Sequence, residues 1–367
     1  MPAIRRSSTL KELVVPMTAV VLGIILGGIL MALTGVNPFE GYKALIMGCF
    51  GRPEYISETI VYTTPLIFTG LAIAVGFRCG LFNIGVEGQY IAGLVGAAVI
   101  GALDLGLPKI IHLPLTILSG MACGAIWASV PGYLKAKFGI HEVVNSIMMN
   151  YIALYLSHYL VNGPIKDPTI TSPYSREILS TAKLWRFFGE GSPIRVNTGI
   201  LIAIGTAFLI YYLLFKTTIG YQIRAVGYNK EASRYGGISV QTNLVAAMFI
   251  SGALAGLAGA VQVMGIQFKF LDLFAFQGYG FDGIAIALVG KSHPLGVLPA
   301  ALLFGILQRG SQTMQMLAGV PKETVGIMQG AIILIVAAEG VVKGWLPVRA
   351  LLGETRRKVQ GKGADKA

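Results

Sequence analysis

The sequence predicts an all-α integral membrane protein of about ten transmembrane helices. Hydrophobic residues fill 54% of its 367 positions and charged residues 13%, against about 25% charged in soluble domains, and mean hydropathy is +0.69. Apolar runs recur along the whole chain, several of them near the roughly 20 residues that cross a bilayer. Glycine occupies 48 positions, a load normal where membrane helices approach through small residues. The net charge of +12 comes with no nucleic-acid-binding motif, so no nucleic-acid partner is expected. Cys49, Cys79 and Cys123 form no C-x-x-C pair and the four histidines are scattered. No disulfide, metal or other cofactor is therefore expected.

Taken in order, residues 1–12 are predicted to be a cytoplasmic N-terminus. Arg5-Arg6 ahead of the apolar run 13–33 imitates a secretory signal, but the run is too long for a signal core and long enough to span. Residues 37–55 are then external, with 39–50 lying along the membrane surface. The second span, 58–77, returns the chain to the inside at Arg78. Residues 79–103 open with polar and glycine residues before becoming a smooth apolar helix. Because unsatisfied backbone groups cannot be left in lipid, Asn83, Glu87 and Gln89 are expected to face protein. Spans follow at 113–134 and 143–161, joined to an external loop at 162–197 with a short helix expected near 175–187. The sixth span is 200–215 and the seventh 244–265, where Gly252, Gly256 and Gly259 form a small-residue packing face. Residues 268–279 are external, the eighth span is thin and broken at 291–294, the ninth begins at 295, and the tenth is 324–342. A basic tail, 343–367, ends the transmembrane domain 13–342 on the inside. The larger share of the 29 Lys and Arg residues then lies on the cytoplasmic side, as topology requires.

Residues 216–240, KTTIGYQIRAVGYNKEASRYGGISV, carry Lys216, Arg224, Lys230 and Arg234 against Glu231. On charge alone this is a cytoplasmic loop. Asn229 can cap a short helix in it and Gly236-Gly237 can end that helix. The order of Gly220, Arg224, Ala225, Gly227, Asn229, Ala232, Gly236 or Gly237, and Ile238 resembles the coupling loop of ABC importer permeases of the branched-chain amino acid, ribose and nucleoside group. Ser233 replaces a common alanine. The resemblance implies that Arg224, Gly227, Asn229, Ala232, Ser233, Gly236 and Gly237 form a small docking helix for a separate ATPase subunit. It also implies a type II importer fold in a prokaryotic cell membrane among membrane lipid, an extracytoplasmic binding lipoprotein, and a second permease subunit in a heterodimer.

Two further segments agree. Residues 278–296 resemble a second family segment, and 80–89, GLFNIGVEGQ, resembles the G-L-x-N-I-G-x-E-G-Q segment of the nucleoside and simple-sugar branch. Paired polar breaks near Asn83 and Asp282 favour two inverted halves, with Asn83, Glu87, Gln89 and Asp282 as candidates for the translocation path or for helix packing. Ala285, Gly290, Lys291 and Ser292 imitate a phosphate loop, but His293-Pro294 follows at once and a membrane run precedes them, so ATP binding by this chain is not expected. Glu87, Asp282 and Glu339 are ionisable groups at membrane depth; they leave a proton-coupled secondary transporter as the alternative. No nucleophile and base stand at a spacing that suggests an enzyme.

Overall fold

The computed structural model describes residues 9–189 and 191–337. Glu339, the end of the tenth predicted span, the tail and most of the N-terminal segment lie outside the described residues. Thirteen α-helices are described: α1 Thr9–Leu33, α2 Pro38–Phe50, α3 Pro53–Arg78, α4 Val86–Ala102, α5 Lys109–Phe138, α6 Glu142–Asn162, α7 Gly199–Lys216, α8 Thr218–Tyr228, α9 Lys230–Tyr235, α10 Val240–Gln262, α11 Tyr279–Val289, α12 Pro294–Ala318 and α13 Lys322–Ala337. A π-helical turn, Val263–Gln267, extends α10. Among the described residues β-structure is confined to isolated bridges.

Among the described residues four helices are long and apolar enough to cross a membrane: Pro53–Arg78, Lys109–Phe138, Gly199–Lys216 and Val240–Gln267. Thr18–Leu33, Val86–Ala102, Tyr279–Val289 and Glu323–Val336 are shorter apolar helices. The thin eighth span corresponds to the 11 residues of α11.

The described residues fall into two units, one within 39–322 and the other of the end segments 9–38 with 323–337. In the latter, Gly23 and Gly27 of α1 pack against Ile332 and Met328 of α13. In the larger unit, α4, α5 and α10 cross backbone to backbone. A Cβ at Gly256 of α10 would lie 2.2 Å from the Gly120 carbonyl oxygen of α5, and one at Gly93 of α4 would lie 2.4 Å from Gly256. The packing face read at Gly252, Gly256 and Gly259 is therefore present, and α4 and α5 answer it with glycines of their own.

Two expectations are corrected. Residues 175–187 form no helix. Their amides are taken by other segments: Ser175 donates to the Phe270 carbonyl (3.0 Å), Ile178 to Phe268 (2.8 Å), Leu179 to Gly101 (2.8 Å) and Leu184 to Met264 (3.0 Å). Tertiary pairing outweighs a modest local helix propensity. The central loop holds two helices rather than one, because extended Asn229 ends α8 and caps α9, its side chain accepting from the Ala232 amide at 3.0 Å.

Gly256→Leu is expected to abolish recovery of folded protein, since the clash is with backbone and no side chain can move aside. Gly205→Ala on α7, where the added carbon meets nothing within 4 Å, should be neutral or stabilise by up to about 1 kcal/mol. Size-exclusion profiles and thermal unfolding of the two purified variants check this.

Candidate functional site

Two helices start inside the larger unit, and one carboxyl group joins them. Residues 79–85 are non-helical before α4 begins at Val86. Residues 268–278 are largely irregular before α11 begins at Tyr279. The start of a helix leaves backbone amides without intrahelical partners. At α11 those amides find Glu87, in the first turn of α4: Oε1 accepts from the Gly278 amide at 2.9 Å and Oε2 from the Gly280 amide at 2.6 Å. The approach is close, for a Cβ at Gly280 would sit 2.4 Å from the Glu87 nitrogen. Glu87 is fully buried.

The start of α4 is satisfied in a similar way. Asn83 accepts from the Gly85 amide (3.0 Å) and exchanges amide hydrogen bonds with Gln89 (3.0 and 3.1 Å). It also donates to Ser251 on α10 (2.9 Å), whose hydroxyl donates to the Ala72 carbonyl of α3 (2.7 Å). Asn150 of α6 accepts from the Gly88 amide at 2.8 Å and donates to the Ile84 carbonyl at 3.0 Å. Thus Asn83, Glu87 and Gln89 come together in a buried network. Asp282 sits apart from it, its carboxyl accepting from Gln308 on α12. Sequence reading missed Asn150 and Ser251. The available signal was a polar residue inside an otherwise spanning run.

Near the far end of α3, Arg78 gathers three segments. Its guanidinium donates to the Ser292 carbonyl (2.8 Å) and the Lys291 carbonyl (3.3 Å) and lies 5.5 Å from the Phe215 ring. Arg224 of α8 lies 5.0 Å from the same ring and donates to the Leu214 carbonyl at 2.9 Å. Gly227 rests on the end of α3, where a Cβ would be 2.1 Å from the Arg78 carbonyl oxygen. The turn that imitates a phosphate loop has its amides engaged: Lys291 donates to Leu288, Ser292 to Ala287 and His293 to Gly290. Lys291 and Ser292 both adopt positive φ, 54° and 50°, and Arg78 holds their carbonyls. A phosphate cradle needs amides to give, and this turn turns carbonyls toward a cation. Burial and the neighbouring Arg78 charge together hold the His293 imidazole below its ordinary pKa.

Beyond this joint, α8 and α9 project. Ile223 and Val226 bury the inner face of α8, and Ser233 of α9 is also turned inward, its hydroxyl donating to the Asn229 carbonyl at 2.8 Å. Ala232, Gly236 and Gly237 are exposed. The projecting side chains are Tyr228, 83% exposed, and Tyr235, 97% exposed. Neither was singled out from sequence.

One further feature was not read from the sequence. Along α6, Tyr151, Tyr155 and Tyr159 stand at four-residue intervals on one exposed face. Tyr151 meets Phe276 edge to face at 5.2 Å, and Phe276 meets Phe281 at the start of α11 at 5.8 Å.

A family described as branched-chain amino acid transport system / permease component matches residues 55–337. The chain belongs to this family. It is a multi-pass membrane permease, and its three matching motifs fall on the α3–α4 break, the α8–α9 projection and the α11–α12 turn. The guanosine ABC transporter permease protein NupP of Bacillus subtilis is 40% identical over 95% of this chain and 98% of its own length. NupQ, a second guanosine ABC transporter permease protein of that organism, is 31% identical over 69% of this permease and 80% of its own length. The glucose ABC transporter permease protein TsgB13 of Haloferax volcanii is 32% identical over 87% and 85% respectively.

Glu87→Ala should destabilise the permease by several kcal/mol, because two buried amides lose their acceptor and each costs about 1–3 kcal/mol unpaired. Glu87→Gln keeps a carbonyl for one of the two and should fall between. Thermal unfolding of the assembled complex in detergent, with all three proteins side by side, checks the order.

Proposed function

We propose that this permease is the translocation subunit of an ATP-driven importer of nucleosides or related simple sugars, with no ATPase site of its own. In this reading ten helices form a type II fold of two inverted halves with both termini cytoplasmic. The partners are a cytoplasmic ATPase subunit, a second permease subunit and an extracytoplasmic binding lipoprotein. The observation that carries the reading is the α8–α9 projection, anchored by Arg224 and Gly227 to the ends of α7 and α3, which exposes tyrosines beside a turn that has no amides to offer a nucleotide.

The substrate is supported by the GLFNIGVEGQ segment and by relatives named for guanosine. The relative named for glucose keeps simple sugars within the class. The pair of guanosine permeases in one organism supports a heterodimer. The inverted halves are supported by α4 and α11, each preceded by a break, meeting at Glu87. The aromatic face of α6 supplies a surface for a base to slide past, since base-on-aromatic stacking is worth about 1–3 kcal/mol and tolerates every base. Proton coupling is disfavoured by the use of both Glu87 oxygens as acceptors for backbone amides and of Asp282 by Gln308. The Glu87 arrangement is a helix cap, and that of Asp282 is a side-chain tie between α11 and α12.

Uptake of labelled guanosine by vesicles holding the whole complex should stop when the ATPase subunit is deleted and continue when a protonophore is added. Uptake of ribose or leucine with nucleosides ignored would overturn the substrate, and the reverse response to the two treatments would overturn the energy source. On α9, Ala232→Glu should leave the permease inserted but cut ATPase association, or uncouple hydrolysis from uptake, by about a hundredfold or more, since a charge buried unpaired in an interface costs about 3–5 kcal/mol. Pull-down and uptake on the same membranes check it, with Tyr235→Ala as a second variant expected to act in the same direction.

A further inference from the structure

A cleft runs along α4, α5 and α6, away from the network at Glu87. Its larger part has a volume of about 560 Å³ and is lined almost wholly by apolar groups, among them Ile91, Val95, Ala122, Ile126, Leu156 and Leu160. A smaller cavity of about 250 Å³ shares Val99 with it and continues past the C-terminal ends of α4 and α6 to Leu103, Ile165, Lys166 and Arg176. The character changes along this line from apolar to cationic.

We propose that this cleft is a binding site for one anionic phospholipid, with an acyl chain lying between α4 and α6 and the phosphate of its headgroup at Lys166 and Arg176. Length, composition and charge each point to this occupant. From Ile91 to Leu103 the α4 backbone rises about 18 Å at 1.5 Å per residue, close to the half-thickness of a hydrocarbon core about 30 Å across. A slot of that length opening beside two cations matches one leaflet's lipid, with its chain in the core and its phosphate at the interface. A water-soluble ligand would find almost no polar partner in the larger part.

The cations are placed by the fold. The isolated bridge between Lys166 and Ser175 sets Lys166 beside the residue preceding Arg176. The nearby carboxylates have other bonds: Asp167 accepts from the Thr169 amide and hydroxyl (2.9 and 2.6 Å), and Glu177 pairs with Lys183 at 2.7 Å. Asp167 also feels the Arg176 charge, though the local hydrogen bonds from Thr169 contribute most to holding its pKa low. Phosphate at this mouth therefore meets two cations, with Asp167 and Glu177 both engaged elsewhere.

The test uses the complete purified complex, stripped of lipid and then offered phosphatidylglycerol or phosphatidylcholine with identical chains, with retention read by native mass spectrometry. The wild type should keep one phosphatidylglycerol with roughly tenfold or greater preference, as two cations near an anionic headgroup imply. Lys166→Glu with Arg176→Glu should erase the preference. Ala122→Phe, an exposed position facing the slot, should reduce retention of both lipids, and intact size-exclusion profiles show that the variants fold. Equal retention by wild type and the charge variant would overturn the proposal. So would exclusion of lipid by the second permease subunit in the assembled complex, or equal protection against thermal unfolding by inorganic phosphate alone.

Discussion

Everything near the centre of this permease follows from one constraint: a helix that begins inside a membrane exposes amides that lipid cannot satisfy. The chain interrupts itself twice inside the larger unit, before α4 and before α11, and its answer is to let the two interruptions satisfy each other. Glu87 belongs to the first turn of α4 and caps the start of α11, which lies 191 positions later in sequence. A carboxyl group at a helix N-terminus gains from the helix dipole as well as from the amides, so the bond is favourable where few other groups could be. Because α4 itself is fixed by Asn83, Asn150 and Ser251, the cap also ties α11 to α3, α6 and α10. Removing Glu87 therefore disturbs more than one helix end.

The second constraint is proximity. Polar links of 2.6–3.0 Å across helices form only if the backbones are allowed near, and Gly93, Gly120, Gly124, Gly252 and Gly256 allow it among α4, α5 and α10. Small residues and hydrogen bonds thus act together, the first bringing helices into range and the second fixing their register. The same logic recurs under the projection, where Gly227 lets α8 sit on the end of α3 while Arg78 and Arg224 share the Phe215 ring. Contacts thus link α8 to α3 and α7 and, through the turn at Lys291 and Ser292, to α11 and α12. In the proposed importer these are the contacts that would have to differ between states for coupling.

Much of this was legible in the sequence because its strongest signals are local. Apolar runs announced most helices, and the polar opening of 79–85 announced the first break. The glycine face of α10 and the cap at Asn229 were also readable. What was hidden depends on distance in the sequence. Nothing near Glu87 names Gly278 and Gly280 as its partners, and nothing in 175–187 reveals that its amides serve Phe268, Phe270, Met264 and Gly101. Ser233 looked like part of an outer face because small residues suit contacts, yet in the structure it points inward and Tyr228 and Tyr235 take the outer positions. Burial on a six-residue helix is set by where the preceding helix is anchored, and that anchor is made by residues far from it.

The tyrosines of α6 show how depth alone can assign a surface. Tyrosine is common in membrane proteins as a belt at the headgroup level, where its ring sits in the apolar layer and its hydroxyl in water. A belt would place such residues near the ends of a helix. Tyr151 is close to the middle of α6 Glu142–Asn162, and Tyr155 and Tyr159 continue the stripe toward one end. A hydroxyl facing hydrocarbon at mid-depth would lack a partner, at a cost of about 2–7 kcal/mol. In a bilayer such a face is better matched to water or another subunit than to lipid, and the adjoining Phe276 and Phe281 extend it to the start of α11, where Glu87 holds the break. On the proposed path past α6, a solute would meet aromatic rings first and the capped helix start next, so that in this proposal a motion of α11 would change the surface the solute touches.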